Sequence, residues 1–338
     1  MFALVTGASG LVGTHLLSQL VRQNRKVRVL ALPGTNTIFP PEVEVIYGDI
    51  RDTQVMRDAC QGVRTVFHLA AMISISGGKN GKVWDVNVNG LSCVAQAALE
   101  AKVTRMVHVS SIHAYNLLEP SAEVITEDGP RVGQEHPIYD QSKWAGEREL
   151  QKWIDKGLDG VIVNPTGIIG SLDHEPSRMG RFLQNVFQGK IWAMVPGGFD
   201  FVDVRDVVMG ILAAETLGRT GENYILSGHW YTFTDIIDKV RELVGISNLA
   251  MIVPVWLAYL GIPLFALSGK WRGQEPLVTK ESLFVLKAAT RSISSLKAES
   301  ELGYSVREPQ DTLMDIYSDY LQHCQQLIKR PSSACLSS

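Results

Sequence analysis

Short apolar runs alternate with amphipathic stretches through the first half of the chain. Residues 2–5 form a continuous apolar run, the pattern of a strand buried on both faces. Residues 11–23 follow with helical periodicity. The same reading predicts strands over 27–30, 43–47, 65–69, 105–109 and 160–164, and helices over 54–60, 86–101 and 138–155. Repeated strand–helix alternation joins parallel strands by right-handed crossovers. It predicts an α/β fold with a doubly wound parallel sheet covered on both faces. After Pro165 the pattern loosens. Helices are predicted at 180–188, 204–217 and 234–244, a small strand at 224–226, and loops around 172–177 and 196–200. Residues 329–338 are Ser-rich and predicted to be a flexible tail.

Composition narrows the function classes. With 32 basic and 35 acidic residues in 338, the net charge of -3 leaves no electrostatic footprint for nucleic acid. Cys60, Cys93, Cys324 and Cys335 show no CxxC spacing and no accompanying His cluster, which argues against a metal site or a disulfide framework. Reduced thiols fit a cytoplasmic protein. Residues 243–269 carry no charge, and 249–268 are mostly apolar. Pro254, Gly261 and Pro263 interrupt that stretch, so a buried or substrate-covering segment is favoured over membrane contact.

The first chemistry lies at the start. Thr6, Gly7, Ala8, Ser9, Gly10, Leu11, Val12 and Gly13 follow a strand and open a helix. Gly7 allows a tight turn, Gly10 lets the backbone approach a pyrophosphate, and Gly13 lets the helix pack on the strand. The helix N-terminus then offers N–H donors to the anion. The spacing Thr-Gly-xx-Gly-xx-Gly resembles the extended short-chain dehydrogenases/reductases, the NAD-dependent epimerase/dehydratase family. The resemblance covers about residues 1–320. It implies a Rossmann-type dinucleotide-binding domain over 1–165. A smaller mixed substrate-binding region, partly interleaved with it, is expected over 166–328.

The resemblance assigns Thr6, Gly7, Ser9, Gly10, Leu11, Val12 and Gly13 to the cofactor. It gives Asp49 to the adenine amine and Ile50 to the adenine ring. Leu69, Ala70 and Ala71 become the small-residue turn over the ribose, whereas His68 reads as a packed core residue. Asn87 holds a kink or a water at a helix start. Asn164, Pro165 and Thr166 fall in the stretch that meets the nicotinamide, although Asn164 and Ile169 stand where the family usually has Arg and Tyr. The second strand ends in Leu30, Ala31, Leu32 and Pro33, without the acid that would bind an NAD ribose and repel a 2′-phosphate. NADP is therefore favoured over NAD.

Tyr139 and Lys143 stand at i,i+4 on one helix face. An ammonium near a phenol lowers the phenol's pKa, and a phenol so tuned serves as general acid or base. Ser110 and Ser111 end the strand at 105–109. The family's carbonyl-binding serine lies four residues before an aromatic, which selects Ser111, with Ser110 as the alternative and His113 and Tyr115 as candidate pocket residues.

Three functional readings remain. The leading one is an NAD(P)-dependent oxidoreductase that reduces a ketone or aldehyde on a largely apolar substrate, resembling the dihydroflavonol reductase and 3β-hydroxysteroid dehydrogenase groups. The second is a nucleotide-sugar epimerase or dehydratase. There Phe199 occupies the place of a diphosphate-binding Arg, a deficit that Arg178 or Arg181 would have to make good. The third is a cofactor-sensing protein without catalysis, against which Ser111, Tyr139 and Lys143 stand together. Trp256, Tyr259, Leu264 and Phe265 suit an apolar substrate lid. The family resemblance further implies a homodimer through the helices at 86–101 and 138–155.

Overall fold

The structure is a computed structural model. It describes residues 1–74, 77–118, 123–173, 177–191, 193–245, 251–258 and 292–329. Seven strands form one parallel sheet: β1 (Phe2–Thr6), β2 (Val27–Ala31), β3 (Glu44–Tyr47), β4 (Val63–His68), β5 (Arg105–Val109), β7 (Gly160–Pro165) and β11 (Asn223–Leu226). Their order is β3-β2-β1-β4-β5-β7-β11, with the chain reversing direction of winding between β1 and β4. The doubly wound α/β fold is the one the alternation predicts.

Period-two alternation sends successive residues to opposite faces. Ala3, Val5, Val29, Phe67, Val107 and Val163 build one core with α1 (Leu11–Arg22) and α7 (Val204–Leu217). Leu4, Leu30, Val66, Met106 and Ile162 build the other with α2 (Thr53–Cys60), α4 (Leu91–Glu100) and α5 (Ile138–Ile154). Thus β11 and α7, both later than residue 165, complete the large sheet and one of its cores.

The helix predicted over 86–101 begins earlier and is not uniform. A short helix α3 (Lys82–Trp84) runs into a π-helical turn, Asp85–Gly90, and then into α4. Asn87 therefore lies within the turn, not at the helix start.

Short strands β6 (Val124–Ile125) and β9 (Ala193–Met194) lie in two-stranded pairs, and a second layer is built from β8 (Gly167–Ile169), β10 (Gly198–Asp203) and β12 (His229–Thr232), with β10 central. The loop predicted at 196–200 is here partly strand. Alternating Phe199 and Phe201 carry no turn chemistry, and Gly198 and Gly228 sit where neighbouring backbone leaves no room for a side chain. Helices α6 (Arg178–Phe187), α8 (Phe233–Val244) and α10 (Pro309–Lys329) pack on this layer through Phe182, Leu183, Ile236, Ile237, Leu313 and Ile316. The last of these helices, preceded by α9 (Leu296–Leu302), lies in a stretch without a predicted element. Proline at its first position sets the start.

Of the apolar stretch 249–268, residues 251–258 are described. Met251, Ile252 and Trp256 there are exposed. Tyr259, Leu264, Phe265 and the tail beyond Lys329 lie outside the described residues. Among the described residues no helix is long and apolar enough to cross a membrane.

A Cβ on Gly228 would lie 2.0 Å from the carbonyl oxygen of Phe201. Gly228→Ala is expected to lower stability by about 1–3 kcal/mol, the usual cost of overpacking, by splaying β10 from β12. Urea unfolding of the two proteins measures it.

Candidate active site

The carboxyl ends of β1 and β4 flank the point where the winding reverses, the crevice where doubly wound sheets bind ligands. Gly7 adopts φ +75°, and a Cβ on it would fall 2.7 Å from the Ala70 nitrogen. A Cβ on Gly13 would fall 2.2 Å from the Gly7 carbonyl oxygen. The loop after β1 and the turn at 69–71 thus pack backbone on backbone. Helix α1 starts at Leu11 behind an N-cap glycine, Gly10, with no side chain capping it, and Ser9 and Gly10 are exposed. Uncapped N–H groups beside open space fit a dinucleotide's diphosphate, and Leu11 and Val12 flank them, half-buried.

Under this loop lies a polar row across the sheet. Thr6 Oγ1 pairs with His68 Nδ1 at 2.8 Å and also accepts from the Ala70 N–H at 3.3 Å. His68 stacks on His108, with ring centroids 5.3 Å apart. Burial, helped by the nearby Lys143 ammonium, pushes the His68 pKa down to about 3. His108 is likewise held well below the usual range by burial. Both rings are therefore neutral structural groups.

After β3, where the adenosine is expected, Asp49 binds Arg51, which donates from Nη2 at 2.6 Å and from Nε at 3.0 Å. Arg51 also pairs with Asp85. The hydrogen bonds from Arg51 hold the Asp49 carboxyl below its ordinary value. Ile50 is buried in the core beneath α4.

The catalytic candidates converge at the ends of β5 and α5. Ser111 caps a single 3₁₀ turn, Ile112–Ala114, accepting from the His113 N–H at 3.2 Å. Its hydroxyl also acts on the Tyr139 phenol, favouring the ionised form. Lys143 Nζ lies 6.0 Å from the Tyr139 ring centroid and donates to the Val109 carbonyl at 3.3 Å. The expected lowering of the phenol pKa is not what this arrangement yields. Burial drives the Tyr139 pKa up, Asp140 adds to the rise, and only the Ser111 hydrogen bond opposes them. The ammonium is turned to Val109, and burial pushes its own pKa down to about 8 against the pull of Glu147.

Glu147 was not singled out by the motif reading. It is 2 % exposed and accepts four hydrogen bonds. Ser110 Oγ and Asn164 Nδ2 each donate at 2.6 Å, and Arg131 Nη1 and Asn223 Nδ2 each at 2.9 Å. Ser110 is thereby committed to structure, and so is the Asn164 side chain, which also donates to the Ser111 carbonyl at 3.0 Å. Thr166, next to Pro165, donates to Asp200 at 2.6 Å. The recurrence of Tyr139, Lys143 and Glu147 every four residues was the signal available.

Asn87 accepts from the Met72 N–H at 2.8 Å and donates to Ser142 Oγ at 2.9 Å. It joins the loop after β4 to the catalytic helix. Tyr115 does not line a pocket. It is 1 % exposed, with the Arg131 guanidinium over its ring. His113 does stand at the site. Its ring meets Tyr139 edge-on at 5.6 Å, and its Nδ1 lies 3.2 Å from Asp140 Oδ1. Among the described residues no cluster of His, Cys, Asp and Glu is arranged to hold a metal ion.

A dinucleotide-binding sheet with serine, tyrosine and lysine together beside the end of β5 defines a class of nicotinamide-dependent enzymes working by hydride transfer. Residues 3–227 match the model of the NAD dependent epimerase/dehydratase family, and the chain belongs to that family, within the extended short-chain dehydrogenases/reductases. It is 37% identical over 264 residues to sterol demethylase protein B of Methylococcus capsulatus, covering 75% of this chain and 78% of that one. It is 29% identical over 267 residues to a putative dihydroflavonol 4-reductase of Synechocystis, covering 75% of each. Among solved structures, that of gox2253 superposes with a TM-score of 0.81 at 30% identity, covering 95% of this chain and 98% of that one.

The neutral His68 makes stability depend on pH. An unfolded histidine titrates near 6.5, and folded His68 near 3. Its contribution is complete above the first value and is lost as pH falls towards the second, by up to about 1.4 kcal/mol per pH unit. Replacing His68 with Gln is expected to make the decline in unfolding free energy shallower between about pH 7 and about pH 4. Urea titrations across that range read the slope directly.

Proposed function

We propose that the chain is an NAD(P)-dependent oxidoreductase that interconverts a ketone or aldehyde and its alcohol on a largely apolar substrate. When bound, the nicotinamide supplies or accepts the hydride. Ser111 and Tyr139 hydrogen-bond the substrate oxygen, where negative charge develops. Tyr139 delivers the proton to that oxygen, a step suited to a phenol whose buried position keeps it protonated. Lys143, buried beside the phenol, offsets the negative charge left on it as the proton leaves, and binding the cofactor ribose requires its ammonium to turn from the Val109 carbonyl.

The observation that carries the substrate class is Phe199. It packs against Phe201 at 6.1 Å and Phe233 at 5.9 Å, where a nucleotide-sugar enzyme would need a cation for the diphosphate. The likeness to a putative dihydroflavonol 4-reductase points the same way. The exposed Leu32 and the following Pro33, with no carboxylate at the end of β2, support NADP over NAD. A nucleotide-sugar epimerase or dehydratase is the second reading. It is favoured by Arg181 on α6, whose buried Nε makes no hydrogen bond among the described residues.

The division of labour at residue 165 belongs to the proposal: cofactor binding before it, and substrate binding after it except for β11 and α7. So do a homodimer through α4 and α5 and a cytoplasmic location.

Tyr139→Phe is expected to cut kcat by about 10²–10⁴-fold while cofactor affinity, read by fluorescence titration, is unchanged. Turnover equal to wild type would overturn the assignment. Mass spectrometry of the denatured protein is expected to find NADP(H) or an empty site. Stoichiometric oxidised NAD that survives dialysis would instead support the epimerase or dehydratase.

A further inference from the structure

Lys143 and Glu147 stand at i,i+4 on α5, the spacing at which a lysine and a glutamate pair along a helix. In this chain both are diverted. The Lys143 ammonium donates to the Val109 carbonyl at 3.3 Å, and Glu147 is taken by the Arg131 guanidinium at 2.9 Å. Arg131 comes from the segment before α5. That segment is tied to the chain just beyond Ser111, because Asn116 N–H donates to the Pro130 carbonyl at 2.7 Å and Tyr115 and Arg131 form an antiparallel bridge. The guanidinium lies over the rings of Tyr115, at 3.7 Å, and Trp144, at 4.6 Å, so packing as well as charge fixes its place. The Glu147 side chain is 2% exposed and that of Arg131 19%. Ser110, Asn164 and Asn223 are neutral donors to Glu147, and Arg131 is the donor that carries charge.

We propose that Arg131 is a positioning residue for Lys143: by claiming the Glu147 carboxylate, it keeps the lysine ammonium free to turn to the cofactor ribose. The proposal rests on the reading above, in which Lys143 holds that ribose and serves Tyr139. A buried carboxylate stripped of its cation is strongly unfavourable, and neutral donors do not cancel its charge. With Arg131 neutralised, the ammonium one helical turn away becomes the partner of Glu147. Glu147 already acts on that ammonium, raising its pKa against the larger effect of burial. The other titratable groups facing Lys143 offer no substitute. His68 and His108 are held neutral by burial, and His113 is held by Asp140. A Lys143–Glu147 pair would form at the expense of the ribose contact.

The test is cofactor affinity, read by fluorescence titration of the full chain with NADPH and with NADH. Arg131→Gln keeps a hydrogen-bond donor and removes the charge. It is expected to weaken binding about 10-fold, the worth of one charge-assisted hydrogen bond, and so to match Lys143→Met. Arg131→Lys restores a point charge, enough for a contact made through one nitrogen, and is expected to bind as wild type does. Adding Glu147→Gln to Arg131→Gln removes the uncompensated carboxylate and is expected to return most of the lost affinity. An arginine that serves stability alone would behave otherwise. Its loss would lower urea midpoints and leave affinity in place, and the second substitution would lower the midpoint again. That result, or a double variant that binds as weakly as Arg131→Gln, overturns the proposal. Affinities as expected in a chain that reduces no apolar ketone overturn the reductase reading and leave Arg131 in its role.

Discussion

The carboxylate of Glu147 is the constraint on which the site's geometry depends. A charge taken out of water costs several kcal/mol unless donors replace the lost solvation. Here the donors come from four separate places: the end of β5, the end of β7, the approach to α5 and the start of β11. None of these segments can shift without leaving part of the charge unsatisfied. Ser111 follows Ser110 directly, and Lys143 and Tyr139 lie one and two turns away from Glu147 on the same helix. The candidate catalytic residues Ser111, Tyr139 and Lys143 are therefore held from behind by a polar knot, whereas the rest of the sheet is held by apolar packing.

The opposite end of the cofactor crevice is governed by different physics. Asp49, Arg51 and Asp85 form a partly exposed ion-pair set, open to water and to salt. Its members exchange partners at little cost, which suits a place where a polar ligand must displace existing contacts. In the second layer, Phe199, Phe201 and Phe233 form an apolar wall. One molecule thus combines a rigid polar centre, a replaceable polar rim and an apolar flank.

The large sheet was legible because its strands are buried on both faces and read as unbroken apolar runs. The glycine loop and the Tyr139–Lys143 pair were legible because their chemistry depends on local spacing. The layer of β8, β10 and β12 was harder to see. Its strands are short, and Gly198 owes its place to backbone from Tyr231, a contact distant in sequence. The same holds for Glu147, whose four donors are scattered along the chain from Ser110 through Arg131 and Asn164 to Asn223. The protonation of Tyr139 was misjudged for a related reason. Spacing places Lys143 on the right face, but the direction of its ammonium is set by the Val109 carbonyl on another element.

The π-helical turn at Asp85–Gly90 has a consequence for how this chain can vary. Such a turn holds one residue more than the α-helix around it would. Removing one residue there would restore regular winding, and each residue turns an α-helix by about 100°. The flanks would keep their faces, because the wide turn has already absorbed the extra residue, but the residues inside it would turn by up to that angle relative to α4, whose face is fixed by Leu91, Val94 and Ala98 in the core. Asn87 would swing away from Met72 and Ser142, uncoupling the loop after β4 from the catalytic helix. Length is thus restricted here together with identity: Asn87, Val88 and Gly90 are buried in the turn, and the number of residues in it sets where Asn87 points.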